Sequence, residues 1–216
     1  MKAVEVEDNL KGALKEKSPF YTLDKGALTS RVQLTRHENP LYYNGKADSN
    51  SRYAHIFRKV GVLYVARSPE LAIAESFQHG QTGPGSPVLV SEIVERSLHQ
   101  LEAVRPLKLV DIGLLLAGAG YKPRDVVQAK GQGSEGYFFP QMISTVCMEH
   151  SQEIDGLYYG SSVYAPTGSP HGCNIVLFEG REPQLVPVSA SPLMETLLTD
   201  GSTAVEFLMK LNVIVE

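Results

Sequence analysis

"LYVARSPELAIAESFQHG", residues 63–80, changes its period halfway along. With Gly61 and Val62 before it, the first part is a short apolar run of aromatic and β-branched residues, which reads as a largely buried strand. Ser68 then suits a helix N-cap and Pro69 the first helical turn, where a missing N–H costs nothing. The residues that follow predict a helix from Pro69 to about His79. One residue breaks the pattern. Glu75 stands four residues after Leu71 and three after Ala72, so it shares their face and not the solvated one. An inward carboxylate is either satisfied by a structural partner, such as a buried arginine, or lines a site. The second reading needs cationic partners, and Arg36 and Arg52 are placed to supply them.

Working outward, Val32 and Leu34 alternate with Gln33 and Thr35, so a strand runs up to Arg36. The stretch from His37 to Lys59 is full of turn residues and reads as a long ordered loop with Arg52 late in it. Beyond the helix, Gly83-Pro84-Gly85 forces a turn. "SPVLVSEIV" (86–94) and "LEAVRPLKLVDI" (101–112) are strand candidates, the second made an edge or broken strand by Pro106. "PQMISTVCMEHS" (140–151) is a helix with Met142, Ile143, Val146 and Cys147 as its apolar stripe. "DGLYYGSS" (155–162) is an Asp-Gly turn feeding an aromatic strand, and "CNIVLFEG" (173–180) is its neighbour across a Pro/Gly/Ser loop at 165–172. Thr203 and Glu206 have capping-box spacing before a final helix whose core face is Val205, Leu208 and Leu211. Residues 1–30 are charged and read as an arm or a loosely attached helix ahead of one domain spanning 31–216. Strands and helices are interspersed without a regular alternation, which predicts an α+β fold with a mixed sheet and packed helices.

Composition narrows the function. At 216 residues and 43% hydrophobic, the chain buries a full core without disulfides or metals. A formal charge of −4 offers no basic field for a phosphate backbone, so no direct nucleic-acid partner is expected. No apolar run is long enough to span a bilayer and no signal-peptide core opens the chain, so no membrane partner and a cytoplasmic location are expected. Cys147 and Cys173 lack metal or redox spacing, and the six histidines lack ligand spacing, so no metal is expected. No H-E-x-x-H, Walker loop, strand-linked G-x-G-x-x-G or G-x-S-x-G occurs.

Taken in order, an arginine at a strand end, a second arginine after a turn-rich loop, "LYVARSPELAIAE", "DGLYYGSS" and "CNIVLFEG" resemble the RES domain, a bacterial toxin family named for its arginine, glutamate and serine. The likeness covers roughly residues 30–180. It implies a fold resembling ADP-ribosyltransferase toxins and consumption of NAD as substrate, with nicotinamide released by hydrolysis or phosphorolysis and no further cofactor. It also implies a helix-turn-helix antitoxin as partner; a homo-oligomer is compatible with it. Carried over by motif, Arg36 matches the first arginine, Arg52 the second, Tyr64 the tyrosine, Glu75 the glutamate and Ser161 the serine. Asn174 matches a recurrent asparagine, and Tyr53 falls beside Arg52 among the substrate-binding positions. Arg31 competes with Arg36, Arg58 with Arg52, and Ser162 with Ser161, since adjacent strand residues point to opposite faces.

The implied chemistry suits these residue types. Breaking the nicotinamide–ribose bond builds positive charge on the sugar, and a preorganised carboxylate such as Glu75 stabilises that state more than the ground state. Arginines grip a pyrophosphate through bidentate bonds, a task for Arg36 and Arg52. Tyr64 is suited to wall the nicotinamide, and the Ser161 hydroxyl to orient the ribose or the acceptor. Two other readings remain open at this point: transfer of ADP-ribose to a protein, and an inactive module that binds a nucleotide or a partner.

Overall fold

The computed structural model describes residues 3–45, 51–78, 86–122, 136–164, 166 and 169–216. Its centre is an eight-stranded mixed sheet in the order β1-β5-β6-β7-β3-β2-β4-β8. The strands are β1 (Phe20–Leu23), β2 (Leu28–Leu34), β3 (Val62–Ala66), β4 (Arg96–Ala103), β5 (Leu107–Asp111), β6 (Gly156–Gly160), β7 (Cys173–Phe178) and β8 (Leu185–Pro192). Only β5 and β6 run parallel. The helices among the described residues are α1 (Ala3–Lys17), α2 (Pro69–Gln78), α3 (Val90–Val94), α4 (Ile112–Gly118), α5 (Phe138–His150) and α6 (Ala204–Lys210). The fold is α+β, and none of these helices is long and apolar enough to cross a membrane.

Alternation along the strands sorts the core. In β7, Val176 and Phe178 pack toward α1, α4 and α5, while Ile175 and Leu177 face the opposite side. That second side also holds Leu23 of β1 and Leu101 of β4, strands far apart in the sheet order. The sheet therefore curls until its distant strands share one core. A third cluster seats α2 against α3 and α6, with Leu71, Ile73 and Leu208 fully buried.

Three expectations are corrected. The helix ahead of residue 31 is not loosely attached: α1 lays Val6, Leu10, Ala13 and Leu14 into the core, and β1 pairs with β5. "SPVLVSEIV" is no strand, because Ile93 is its only buried α3 residue and the Glu92 carboxylate accepts from the Leu89 N–H at 3.0 Å, holding a helical turn. As expected, the 101–112 stretch is broken at Pro106, which lies between β4 and β5, strands that are not neighbours in the sheet. Asp155-Gly156 is not an exposed turn either. Asp155 is buried, accepts from Lys108 N at 2.9 Å and pairs with Arg105 at 2.5 Å. A Cβ on Gly156 would come within 2.1 Å of the Val176 carbonyl oxygen, so the strand crossing admits only glycine. The Gly83-Pro84-Gly85 turn, and parts of the loops at 37–59 and 165–172, lie outside the described residues.

The opening in this fold lies where β2 and β3 part. They share a single registered pair, Ser30 opposite Ala66, whereas β2 and β4 stay paired over the whole of β2. Beyond Ser30 the two strands diverge, and the gap between them becomes a cleft.

Candidate active site

The cleft has a volume of about 450 Å³ and is bordered by Arg31, Arg52, Tyr64, Glu75, Tyr159 and Asn174, among others. That size lies within the range of small-molecule sites. Two features bring the acid to it. Ser68 caps α2, its Oγ accepting from Leu71 N at 3.1 Å and donating to the His171 carbonyl at 2.9 Å, which ties the helix start to the turn before β7. Apolar neighbours then seat α2, with Leu71, Ala72, Ile73 and Ala74 buried, and Glu75 follows at the cleft edge.

Two donors converge on one oxygen of that carboxylate. Ser161 Oγ donates to Glu75 Oε1 at 2.7 Å, and Asn174 Nδ2 donates to the same atom at 2.6 Å. Ser161 also accepts from the backbone N–H of Val163 at 3.0 Å and of Tyr164 at 3.1 Å. Its one proton and both acceptor sites are thereby occupied. Asn174 sits opposite Ala66 on one side and Tyr159 on the other, so three cleft residues form one row across β3, β7 and β6.

The cationic side comes from β2 and the loop after it. Arg31 Nη1 donates to the carbonyls of Pro40 at 2.7 Å and Tyr42 at 3.3 Å, which folds the chain after β2 back over the guanidinium. Burial depresses its pKa from the ordinary arginine value, yet an arginine remains charged. Among the described residues, neither Arg31 nor Arg52 forms a salt bridge, and the buried Nε of Arg52 has no hydrogen-bond partner. Guanidinium groups on a cleft carry the fork geometry that bidentate hydrogen bonds to an anion use.

Tyrosines form the walls. Tyr64 OH accepts from the Tyr53 backbone N–H at 2.9 Å, and burial raises its pKa. Tyr159 is raised well above the ordinary phenol value, first by burial and then by Tyr53, Tyr64 and Glu75, so it remains a neutral ring. Tyr53 itself does not reach the cleft; it is buried behind it, its ring tilted against Tyr159 at 4.9 Å.

The residues singled out from the sequence thus divide. Glu75, Arg52, Tyr64 and Asn174 border the cleft, and Ser161 stands directly behind Glu75. Arg36 does not join them: it is exposed in the turn after β2, while Arg31, five residues earlier, occupies the cleft. Arg58 is turned away, donating to the His55 carbonyl at 3.3 Å, and Ser162 is exposed. Tyr137, Tyr159, Ser30 and Asn44 also border the cleft. Tyr159 lay within the "DGLYYGSS" block; the other three carry no local signal, because Ser30 on β2, Asn44 bridged to Val62 and Tyr137 at the start of α5 meet only through tertiary packing.

A curled α+β sheet is split beside a carboxylate held by Ser161 and Asn174 and two arginines that form no salt bridge among the described residues, and the split leaves a cleft of small-molecule size. The chain belongs to the RES domain family, which it matches over residues 29–199. No curated protein sequence matches it. Its fold is similar to that of a chain in the crystal structure of the M. tuberculosis MbcT-MbcA toxin-antitoxin complex, with a TM-score of 0.62 at 14% identity, covering 94% of this chain and 97% of that one.

Proposed function

We propose that this protein is a toxin that cleaves the nicotinamide–ribose bond of NAD and is restrained by an antitoxin protein. The observation that carries the reading is the opposition, in one cleft, of a carboxylate held by Ser161 and Asn174 to two arginines, Arg31 and Arg52, that form no salt bridge among the described residues. RES family membership and a similar fold in a toxin-antitoxin complex support the toxin and antitoxin parts.

In this reading Arg31 and Arg52 hold the pyrophosphate, and tyrosine rings flank the nicotinamide. The C–N bond breaks with its electron pair leaving on the pyridine nitrogen, so a cationic ring departs as neutral nicotinamide and needs no proton. Positive charge then appears on the ribose, where Glu75 is fixed and does not have to reorganise. Water attacking that carbon gives ADP-ribose and a proton; phosphate gives the phosphorylated sugar. Ser161 acts on Glu75 and not on substrate, since its hydrogen-bonding capacity is already taken.

The test is nicotinamide release from NAD by the purified chain, with and without inorganic phosphate, with the ribose product weighed by mass spectrometry. Release that Glu75→Gln abolishes while the protein stays folded is the expected result. A folded, partner-free sample that releases nothing in either buffer overturns the reading.

A further inference from the structure

Helix α5 carries two stripes. Met142, Ile143, Val146 and Cys147 face the core. Gln141, Ser144, Thr145 and Glu149, spaced i, i+3, i+4 and i+8, lie along another. Three of these polar residues are buried, and Ser144 has no exposed surface at all. Polar side chains are buried on a helix only at a cost unless they bond to something.

All four bond to residues 51–56. Gln141 Nε2 donates to the Ser51 carbonyl at 3.1 Å, and Ser144 Oγ donates to the Ala54 carbonyl at 3.0 Å. Thr145 Oγ1 accepts from the Ile56 backbone N–H at 2.9 Å, and Glu149 Oε1 lies 3.3 Å from Nε2 of the buried His55. Three contacts go to backbone, so they fix the path of the chain whatever side chains it carries. That path contains Ser51 and Arg52, which border the cleft, and the Tyr53 N–H, which holds the Tyr64 hydroxyl.

We propose that Gln141, Ser144, Thr145 and Glu149 are positioning residues that hold Arg52 in the cleft by gripping the segment 51–56. The inference rests on the NAD-cleaving reading for what Arg52 grips. The segment has no strand or helix of its own to fix it, so a buried row on α5 takes the place of a sheet ladder. Because Arg52 binds pyrophosphate alike in substrate and transition state, loosening it raises KM and leaves kcat nearly unchanged.

Thr145 gives the cleanest test. Thr145→Val keeps the side-chain volume and removes the acceptor for Ile56 N, whereas Thr145→Ser keeps the hydroxyl and loses a methyl. Both are compared with wild type for kcat and KM with NAD, and for the rate of tryptic cleavage after Arg52 in the native protein. The expected result for Thr145→Val is a rise of about five- to tenfold in KM and in cleavage rate, the worth of one hydrogen bond, with kcat within about twofold. Thr145→Ser restores both. Unchanged KM and cleavage in Thr145→Val, or equal effects of the two substitutions, overturn the proposal. If wild type releases no nicotinamide, the NAD reading fails by itself, and the tryptic comparison still decides whether Thr145 holds the segment.

Discussion

Ser161 gives its proton to Glu75 Oε1 at 2.7 Å while its oxygen takes the N–H groups of Val163 and Tyr164. The serine is thus a fixed link between the turn after β6 and the acid on α2. Ser161→Ala leaves Asn174 as the donor to that oxygen among the bonds described, and frees two backbone donors. NAD cleavage should fall by about ten- to hundredfold, mainly in kcat, because the lost contact sets the aim of a transition-state group. Folding stability should drop by about 1–3 kcal/mol. Steady-state kinetics beside a urea melt checks both; unchanged kcat would mean that Asn174 suffices.

Arg31, on β2, and Arg36, just beyond its end, make opposite predictions. Arg31 borders the cleft with Pro40 and Tyr42 folded onto it, whereas Arg36 is exposed beyond the strand end. Arg31→Ala should raise KM for NAD by about ten- to hundredfold, the worth of a charge-assisted bond, and Arg31→Lys should recover little because the planar fork is gone. Arg36→Ala should stay within about twofold of wild type. The reverse ranking would return the role to Arg36.

That pair also shows where sequence reading stops. The inward aim of Glu75 is legible because it depends on helical period within a few residues. The choice between Arg31 and Arg36 depends on how far β2 extends along β4 and where it leaves β3, which neighbours distant in sequence decide. Tyr137, at the N-cap of α5, and Asn44, bridged to Val62, reach the cleft from positions with no periodic signal. In α1, charged residues surround Val6, Leu10, Ala13 and Leu14, so a real apolar stripe is diluted below notice until α4 and α5 are there to cover it.

The stripe on α1 predicts that the N-terminal helix stabilises the whole fold. Leu10 is fully buried and Val4 is 70% exposed on the same helix. Leu10→Ala should cost about 2–5 kcal/mol, and Val4→Ala should change stability by no more than about 0.5 kcal/mol. Paired denaturant melts decide it. Equal small effects would mean that α1 behaves as the loose arm its composition suggests.

Two buried histidines set the direction of the pH response. Nδ1 of His55 accepts from Phe57 N at 3.0 Å, so the ring carries its proton on Nε2 toward Glu149 and is neutral. Burial lowers its pKa, Glu149 on α5 opposes this, and Lys59 and Arg58 add to the lowering. His99 on β4 is lowered by burial and then by Arg31 across the strand pair. Both titrate below the unfolded value of about 6.5, so in the window beneath it the unfolded chain binds more protons than the folded one. Stability should therefore be level from pH 8 to 7 and fall as pH drops from about 6.5 toward 5.5. Urea midpoints at pH 7.5 and 5.5 measure the fall, and His99→Leu, which removes one titrating group, should shrink the difference. An unchanged or rising midpoint at pH 5.5 would mean that Glu149 outweighs burial at His55 and that His99 gains a partner when protonated.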